Sequence, residues 1–133
     1  MWIKDIKYTV FSRIKAIGTS KLKSKYPNIS FTSTDRVSGE PSFPTVYVRK
    51  MQGAERGQDL EGASVNAILT TFQIEVTDNG TNDSVAEEVA DVMLDIMKSM
   101  RFQMVGEPIT ESTSTTFRCI ARYQRIIGYN DVL

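Results

Sequence analysis

The chain has 133 residues, of which 41% are hydrophobic and 24% are charged. This length and composition predict a single globular domain over residues 1–133 and argue against a disordered chain. Lys plus Arg and Asp plus Glu both number 16, so the formal net charge is zero and the basic excess typical of nucleic-acid-binding domains is absent.

The first predicted element is an amphipathic helix over residues 2–24, where apolar side chains recur at steps of three and four. Gly18 weakens the pattern, so the regular helix either ends there or runs on to Lys25. Pro27 then stops it, because the residue before a proline disfavours helical backbone. Alternating patterns predict strands over 28–34 and 45–51, with a Gly- and Pro-containing loop at 35–44 between them.

The middle of the chain is predicted to hold a long loop and the longest strand. Three glycines punctuate residues 52–64, which we expect to form a long, mobile loop. A strand follows at 65–76, and its face with Phe72, Ile74 and Val76 should be buried. The segment 78–80 (Asp-Asn-Gly) should end the strand, because Asn-Gly tolerates a positive φ.

A second helix is predicted over 83–100, with Ser84 and Glu87 as a capping box or Asp83 as the cap. A strand at 102–105, a polar link at 109–114 and a strand at 116–127 complete the order α-β-β-β-α-β-β. Because a loop joins the second and third strands, antiparallel pairing is favoured. The fold class is therefore α+β, a single domain with a mainly antiparallel sheet and two amphipathic helices on one face.

Patterns of catalysis and metal binding are missing from the sequence. It contains no histidine, which is the commonest general base and the commonest metal ligand. The single cysteine, Cys119, falls on the inward side of the last strand, where a buried thiol is expected. Residues 78–83 are rich in oxygen donors but lack the spacing of a calcium loop, and no phosphate-binding glycine motif occurs. We expect no enzyme activity, no cofactor and no bound metal.

Interaction with other chains is the more promising prediction. Basic residues dominate positions 1–25 and acidic residues dominate 55–111, which favours head-to-tail contact between copies. The simpler alternative is that these charges only solvate two helices. The segment between Gly53 and Gly62 is charged, and such loops become ordered against partners, although a plain surface loop explains it equally well. Its candidate interface residues are Glu55, Arg56, Asp59, Leu60 and Glu61.

Four segments of the sequence resemble a known family. An N-terminal amphipathic helix leads into Phe43-Pro44-Thr45-Val46-Tyr47-Val48, and a charged loop precedes the strand 70–76. An acidic helix begins Ala86-Glu87-Glu88-Val89-Ala90, and the chain closes with Arg122-Tyr123-Gln124-Arg125. Over almost its whole length the chain resembles the tail-terminator and tail-completion proteins of long-tailed bacteriophages, the lambda-type family.

The resemblance implies a subunit that forms a hexameric ring on the finished tail tube, stops polymerisation of the major tail protein and offers a surface for joining the head. Its partners would be copies of itself, the major tail tube protein and a head–tail connector protein. DNA would be only passing cargo in the channel, and a net charge of zero fits a channel in which DNA slides. Arg118, Arg122 and Arg125 would face a partner or the channel, unless they merely flank an exposed sheet edge.

No apolar run has the length of a signal peptide or a membrane span, so we expect a chain that is made and used in the cytoplasm. The resemblance implies the host cytoplasm during assembly and then the virion. Two other functions remain open from the sequence. One is a head-closure or neck connector protein, which bridges the portal and the tail. The other is a small interaction module that is not viral.

Overall fold

The computed structural model describes residues 2–33, 42–56, 67–128 and 131–133. Within these ranges it contains two helices, α1 and α2, and seven strands, β1 to β7. In chain order they are α1 Trp2–Leu22, β1 Ser30–Thr32, β2 Thr45–Lys50, β3 Ala54–Arg56, β4 Ala67–Asp78, α2 Ser84–Ser99, β5 Gln103–Met104, β6 Ile109–Ser112 and β7 Phe117–Gly128.

The centre of the sheet is the antiparallel pair of β4 and β7, each 12 residues long. They pair without interruption from Ala67 opposite Gly128 to Asp78 opposite Phe117. On the other side of β4 lie β2 and β3, both antiparallel to it, while β5 and β6 pair with the other side of β7. Only β1 and β2 pair in parallel among the described strands. The predicted α+β class with a mainly antiparallel sheet is confirmed.

One face of the sheet is the core. Its strand residues include Val48, Ile74 and Ala121, which lie opposite one another in register. The two helices cover this face with their apolar stripes, and Phe72 packs edge-to-face on Phe102 at 5.7 Å between ring centroids. Such an aromatic pair contributes about 1 kcal/mol beyond the burial of its area. The predicted inward face of the longest strand, Phe72, Ile74 and Val76, is buried.

Helix α1 runs through Gly18 without interruption, and the structure explains why glycine stands there. A Cβ at this position would lie 2.6 Å from Cζ of Phe31 in β1, closer than any ordinary contact. Glycine therefore lets the first strand pack directly against the helix.

Two strands were missed by the sequence analysis. Strand β3 lies in the segment 52–64 that was predicted to be a loop, and β6 lies in the predicted polar link at 109–114. Every residue of β6 is exposed, so this edge strand has no hydrophobic alternation to reveal it. At the start of β3 a Cβ on Gly53 would lie 2.4 Å from the carbonyl oxygen of Leu69, so glycine permits the close approach of the two backbones.

The start of α2 also differs from the prediction. Asp83 occupies the N-cap position but makes no capping hydrogen bond, and no capping box forms. Instead, Oδ1 of Asn82 accepts hydrogen bonds from the backbone N and the Oγ of Ser84, at 3.1 and 2.6 Å. In the preceding turn the backbone N of Gly80 donates to Oδ2 of Asp78 at 2.9 Å. This Asx turn needs no positive φ, which is found instead at Arg101 and Gly106 among the described residues.

Candidate interaction surface

The face of the sheet away from the helices, which we call the open face, is formed by the residues that alternate with the core. On β4 these are the odd-numbered residues and on β7 the even-numbered ones, so that Gln73 lies opposite Arg122 and Thr77 opposite Arg118. Both described helices pack on the other side. Two of the three predicted arginines, Arg118 and Arg122, therefore lie on the open face.

Polar side chains on the open face are joined by hydrogen bonds. Nε of Arg122 donates to Oε1 of Gln73 at 2.9 Å, and Nε2 of Gln73 donates to Oε1 of Glu75 at 3.0 Å. Nη2 of Arg118 donates to Oε2 of Glu111 in β6 at 2.9 Å. This hydrogen bond, opposed by burial and supported by the charges of Glu75 and Glu111, raises the pKa of Arg118. The hydrogen bonds form two separate groups, one that joins β7 to β6 through Arg118 and one that joins β7 to β4 through Arg122. Nε of Arg118 is buried without a hydrogen-bond partner among the described residues.

Two aliphatic pairs also lie on the open face. Ile109 lies opposite Ile120, which stands between Arg118 and Arg122 along β7, and Leu69 lies opposite Ile126, beyond Arg122. Ile109 is 59% exposed and Ile126 is 54% exposed. Exposed aliphatic side chains beside arginines have the mixed composition of protein–protein interfaces.

Arg125 does not belong to this surface. It lies opposite Thr70, on the helix side of the sheet, and its side chain is only 9% exposed. Nη1 donates to the carbonyl oxygen of Met100 at the C-terminus of α2 at 3.0 Å, and Nη2 lies 3.6 Å from Oδ2 of Asp131. Burial lowers the pKa of Arg125, and the charge of Arg101 lowers it further. The structure thus gives Arg125 a role in holding a helix end.

The alternative that the arginines flank an exposed sheet edge stays open. At Arg118 and Arg122, β7 pairs with β4 on one side and with β5 and β6 on the other, so it is not itself the edge strand, but its neighbour β6 is exposed throughout. The candidate loop is only partly described. Glu55 and Arg56 belong to β3, in register with Ile68 and Ala67. Asp59, Leu60 and Glu61 lie outside the described residues.

A second surface, which the sequence analysis missed, is a groove between α2 and the strands β5, β6 and β7. Its volume is about 310 Å³. The groove exists because Cys119 and Ala121 are small residues on the core face of β7, next to a stretch of β6 that α2 does not cover. Its lining residues are Glu87, Ala90, Asp91, Leu94, Met104, Glu107, Pro108, Thr110, Cys119, Ala121 and Tyr123.

The groove combines an apolar floor with an acidic rim. Tyr123 is 1% exposed, and burial raises its pKa to about 12. The pKa of Cys119 is also raised, first by burial and further by the charges of Glu87 and Asp91, although a hydrogen bond with Thr110 opposes the shift. Burial and the neighbouring carboxylates therefore both disfavour the charged forms of these two side chains. In the described ranges no three His, Cys, Asp or Glu side chains are placed to hold a metal ion. None of the described helices is long and apolar enough to span a membrane.

Comparison with known proteins gives no family. No protein-family model matches the sequence, and no curated protein matches it. A solved structure whose name states no function is similar at 17% sequence identity and a TM-score of 0.41, over 90% of this chain and 97% of the other. A likeness at this level carries no argument about function.

Proposed function

We propose that this chain is a structural protein of bacteriophage assembly, which forms a ring on the end of the tail tube, stops tail polymerisation and offers the surface for joining the head. The observation that supports this proposal is the open face, where two hydrogen-bonded arginines alternate along β7 with aliphatic residues, and where Ile109 and Ile126 are exposed. The solvated face of a sheet usually carries polar side chains, whereas exposed aliphatic residues beside hydrogen-bonded charges favour a protein partner.

The hydrogen bonds that hold Arg118 and Arg122 make the open face suited to binding. Arg118 and Arg122 are already held by Glu111 and Gln73, so a partner does not have to immobilise two flexible side chains. Immobilising a long side chain costs about 0.5–1.5 kcal/mol on association, and preorganisation removes part of that cost. Arginine also carries a large share of the binding energy at protein interfaces.

The partners in this proposal are other copies of the chain in a hexamer, the major tail tube protein and a head–tail connector protein. DNA passes through the ring without being held, in keeping with the net charge of zero. No catalytic step and no cofactor are involved. The protein acts in the host cytoplasm during assembly and then in the virion.

The proposal is tested by polymerising the cognate major tail protein with and without this chain and measuring tube lengths by electron microscopy. The expected result is shorter tubes, each with added density at one end. Arg122→Glu should weaken this effect. Lys98→Glu, which reverses a positive charge at an exposed position on α2, should leave it unchanged. Tubes of unchanged length and with bare ends would contradict the proposal. Binding to portal-filled heads instead of tubes would favour the neck connector.

A further inference from the structure

We propose that the groove between α2 and β5–β7 binds Tyr8 of helix α1 from a second copy of this chain, with Lys4 and Lys15 of that helix facing the acidic rim. This inference deepens the proposed function, since it assigns the contact through which copies join. It concerns a surface distinct from the open face, so the two can be tested separately.

The outer side of α1 has the chemistry of a docking element. Tyr8 is 71% exposed, and it is the one aromatic residue classed as exposed among the side chains that the structure describes. Lys4 and Lys15 are also exposed, four positions before Tyr8 and seven after it. At these spacings all three side chains lie on one side of the helix. Tyrosine combines a rigid apolar ring with a polar tip, and it is among the residues that dominate binding energy at interfaces.

The groove has the complementary chemistry. Glu87 and Asp91 lie one turn apart on α2, Glu107 lies across from them, and none of the three forms an ion pair with a described residue. Leu94 and Met104 supply an apolar wall. Lysines that flank an inserted ring would therefore meet unpaired carboxylates, which gives both affinity and orientation.

Tyr123 gives the groove a polar group for the tip of an inserted side chain. Its ring is buried and lines the groove, and its hydroxyl makes no hydrogen bond to a described residue. The hydroxyl of an inserted tyrosine can form a hydrogen bond with it, which an aliphatic side chain cannot.

The docking residue must come from another copy, because α2 separates the groove from α1 within one chain. On one side of α2, Glu88 accepts hydrogen bonds from Lys25 and Tyr26, which follow α1. On the other side, Glu87 and Asp91 border the groove. A contact that joins two different surfaces of identical chains is head-to-tail, and head-to-tail contacts close into rings or extend into filaments.

Charge reversal gives a sharp test with matched controls. Lys15→Glu and Asp91→Lys should each weaken self-association at least about tenfold in sedimentation experiments. Lys21→Glu and Asp95→Lys change the same charges on exposed positions of the same two helices outside the contact, and should behave like the wild type.

Mixing the two deficient variants is the decisive step. In an alternating ring, the carboxylate introduced at position 15 of the first variant meets the ammonium group introduced at position 91 of the second. The remaining contacts are native, so an equimolar mixture should recover association. Recovery in the mixture, together with failure of each variant alone, is the expected result. Variants that associate like the wild type, or a mixture that does not recover, would overturn the inference.

A direct map of the contact comes from a photo-crosslinking amino acid at position 8. Crosslinks in dimers should fall on peptides that contain Met104, Glu107 or Tyr123. Crosslinks confined to other surfaces would overturn the inference, as would a wild-type protein that stays monomeric and gives no crosslink. Tyr8→Phe should associate more weakly than the wild type, and Tyr8→Ala more weakly still.

Failure here is distinguishable from failure of the proposed function. If Tyr8→Ala still forms rings that cap tail tubes, this contact is wrong and the function stands. If copies associate through Tyr8 but the rings ignore tail tubes, the contact stands and the function is wrong.

Discussion

Arg125 should act on stability and not on partner binding, although the sequence groups it with Arg118 and Arg122. The change Arg125→Met keeps an unbranched side chain that fills the same space. It removes the hydrogen bond to the Met100 carbonyl and leaves that helix-end acceptor without a partner. Arg122→Met is the matched control, because that arginine is exposed on the open face.

The expected magnitude follows from three contributions. A hydrogen bond from a charged donor that is only 9% exposed contributes about 1.5–3 kcal/mol. The ion pair with Asp131 adds at most about 1 kcal/mol, because that carboxylate is 43% exposed. Relief from burying a guanidinium, whose pKa is already lowered by burial, opposes both. We expect Arg125→Met to lower the free energy of unfolding by about 2 kcal/mol, and Arg122→Met by less than about 1 kcal/mol.

Urea denaturation followed by circular dichroism measures the free energy directly, and a thermal scan should show a fall of about 8 °C in Tm for Arg125→Met. At a temperature where both variants are folded, Arg125→Met should still cap tail tubes. Equal stability losses in the two variants, or loss of tube capping by the folded Arg125→Met protein alone, would refute the reasoning.

Three further predictions concern single side chains. Hydrogen bonds from Lys25 and Tyr26 lower the pKa of Glu88 below its ordinary 4.5, so the contribution of Glu88 to stability is complete above pH 4.5 and is lost as the pH falls through the lower folded-state pKa. Glu88→Gln should therefore be less stable than the wild type at pH 7 but not at pH 2, and parallel profiles of stability against pH would contradict this. The Thr70 hydroxyl is buried without a described partner, so Thr70→Val should raise the free energy of unfolding by about 1 kcal/mol in urea titrations, and a loss would show that the hydroxyl is bonded. Burial raises the pKa of Cys119, so alkylation at pH 8 should be at least ~tenfold slower than in urea, and equal rates would place the thiol in solvent.

The sequence predicts the core well, because burial of one face of a helix or strand requires a periodic pattern of apolar residues along the chain. Phe72, Ile74 and Val76 in β4 show a period of two and are buried as predicted, and Val46 and Val48 in β2 show the same period and are buried. Helix α2 shows a period of 3.6, and its stripe of Val89, Met93, Ile96 and Met97 is buried.

The missed features depend on tertiary contacts that leave no local period. Strand β6 is exposed throughout, so only its pairing with β7 makes it a strand. The groove comes from the size of Cys119 and Ala121 relative to the helix above them, which is a property of packing. Arg125 stands at an odd-numbered position of β7 and Arg118 and Arg122 at even-numbered ones, so the period of two along a strand places Arg125 on the opposite face.

The most direct test of the central claim is the mass of the purified protein by multi-angle light scattering, alone and with cognate tail tubes that lack their cap. The account predicts a hexamer of about 89 kDa, six times 14.9 kDa, either free or formed at the tube end. A protein that stays at 14.9 kDa at every concentration and does not bind the tubes would contradict it.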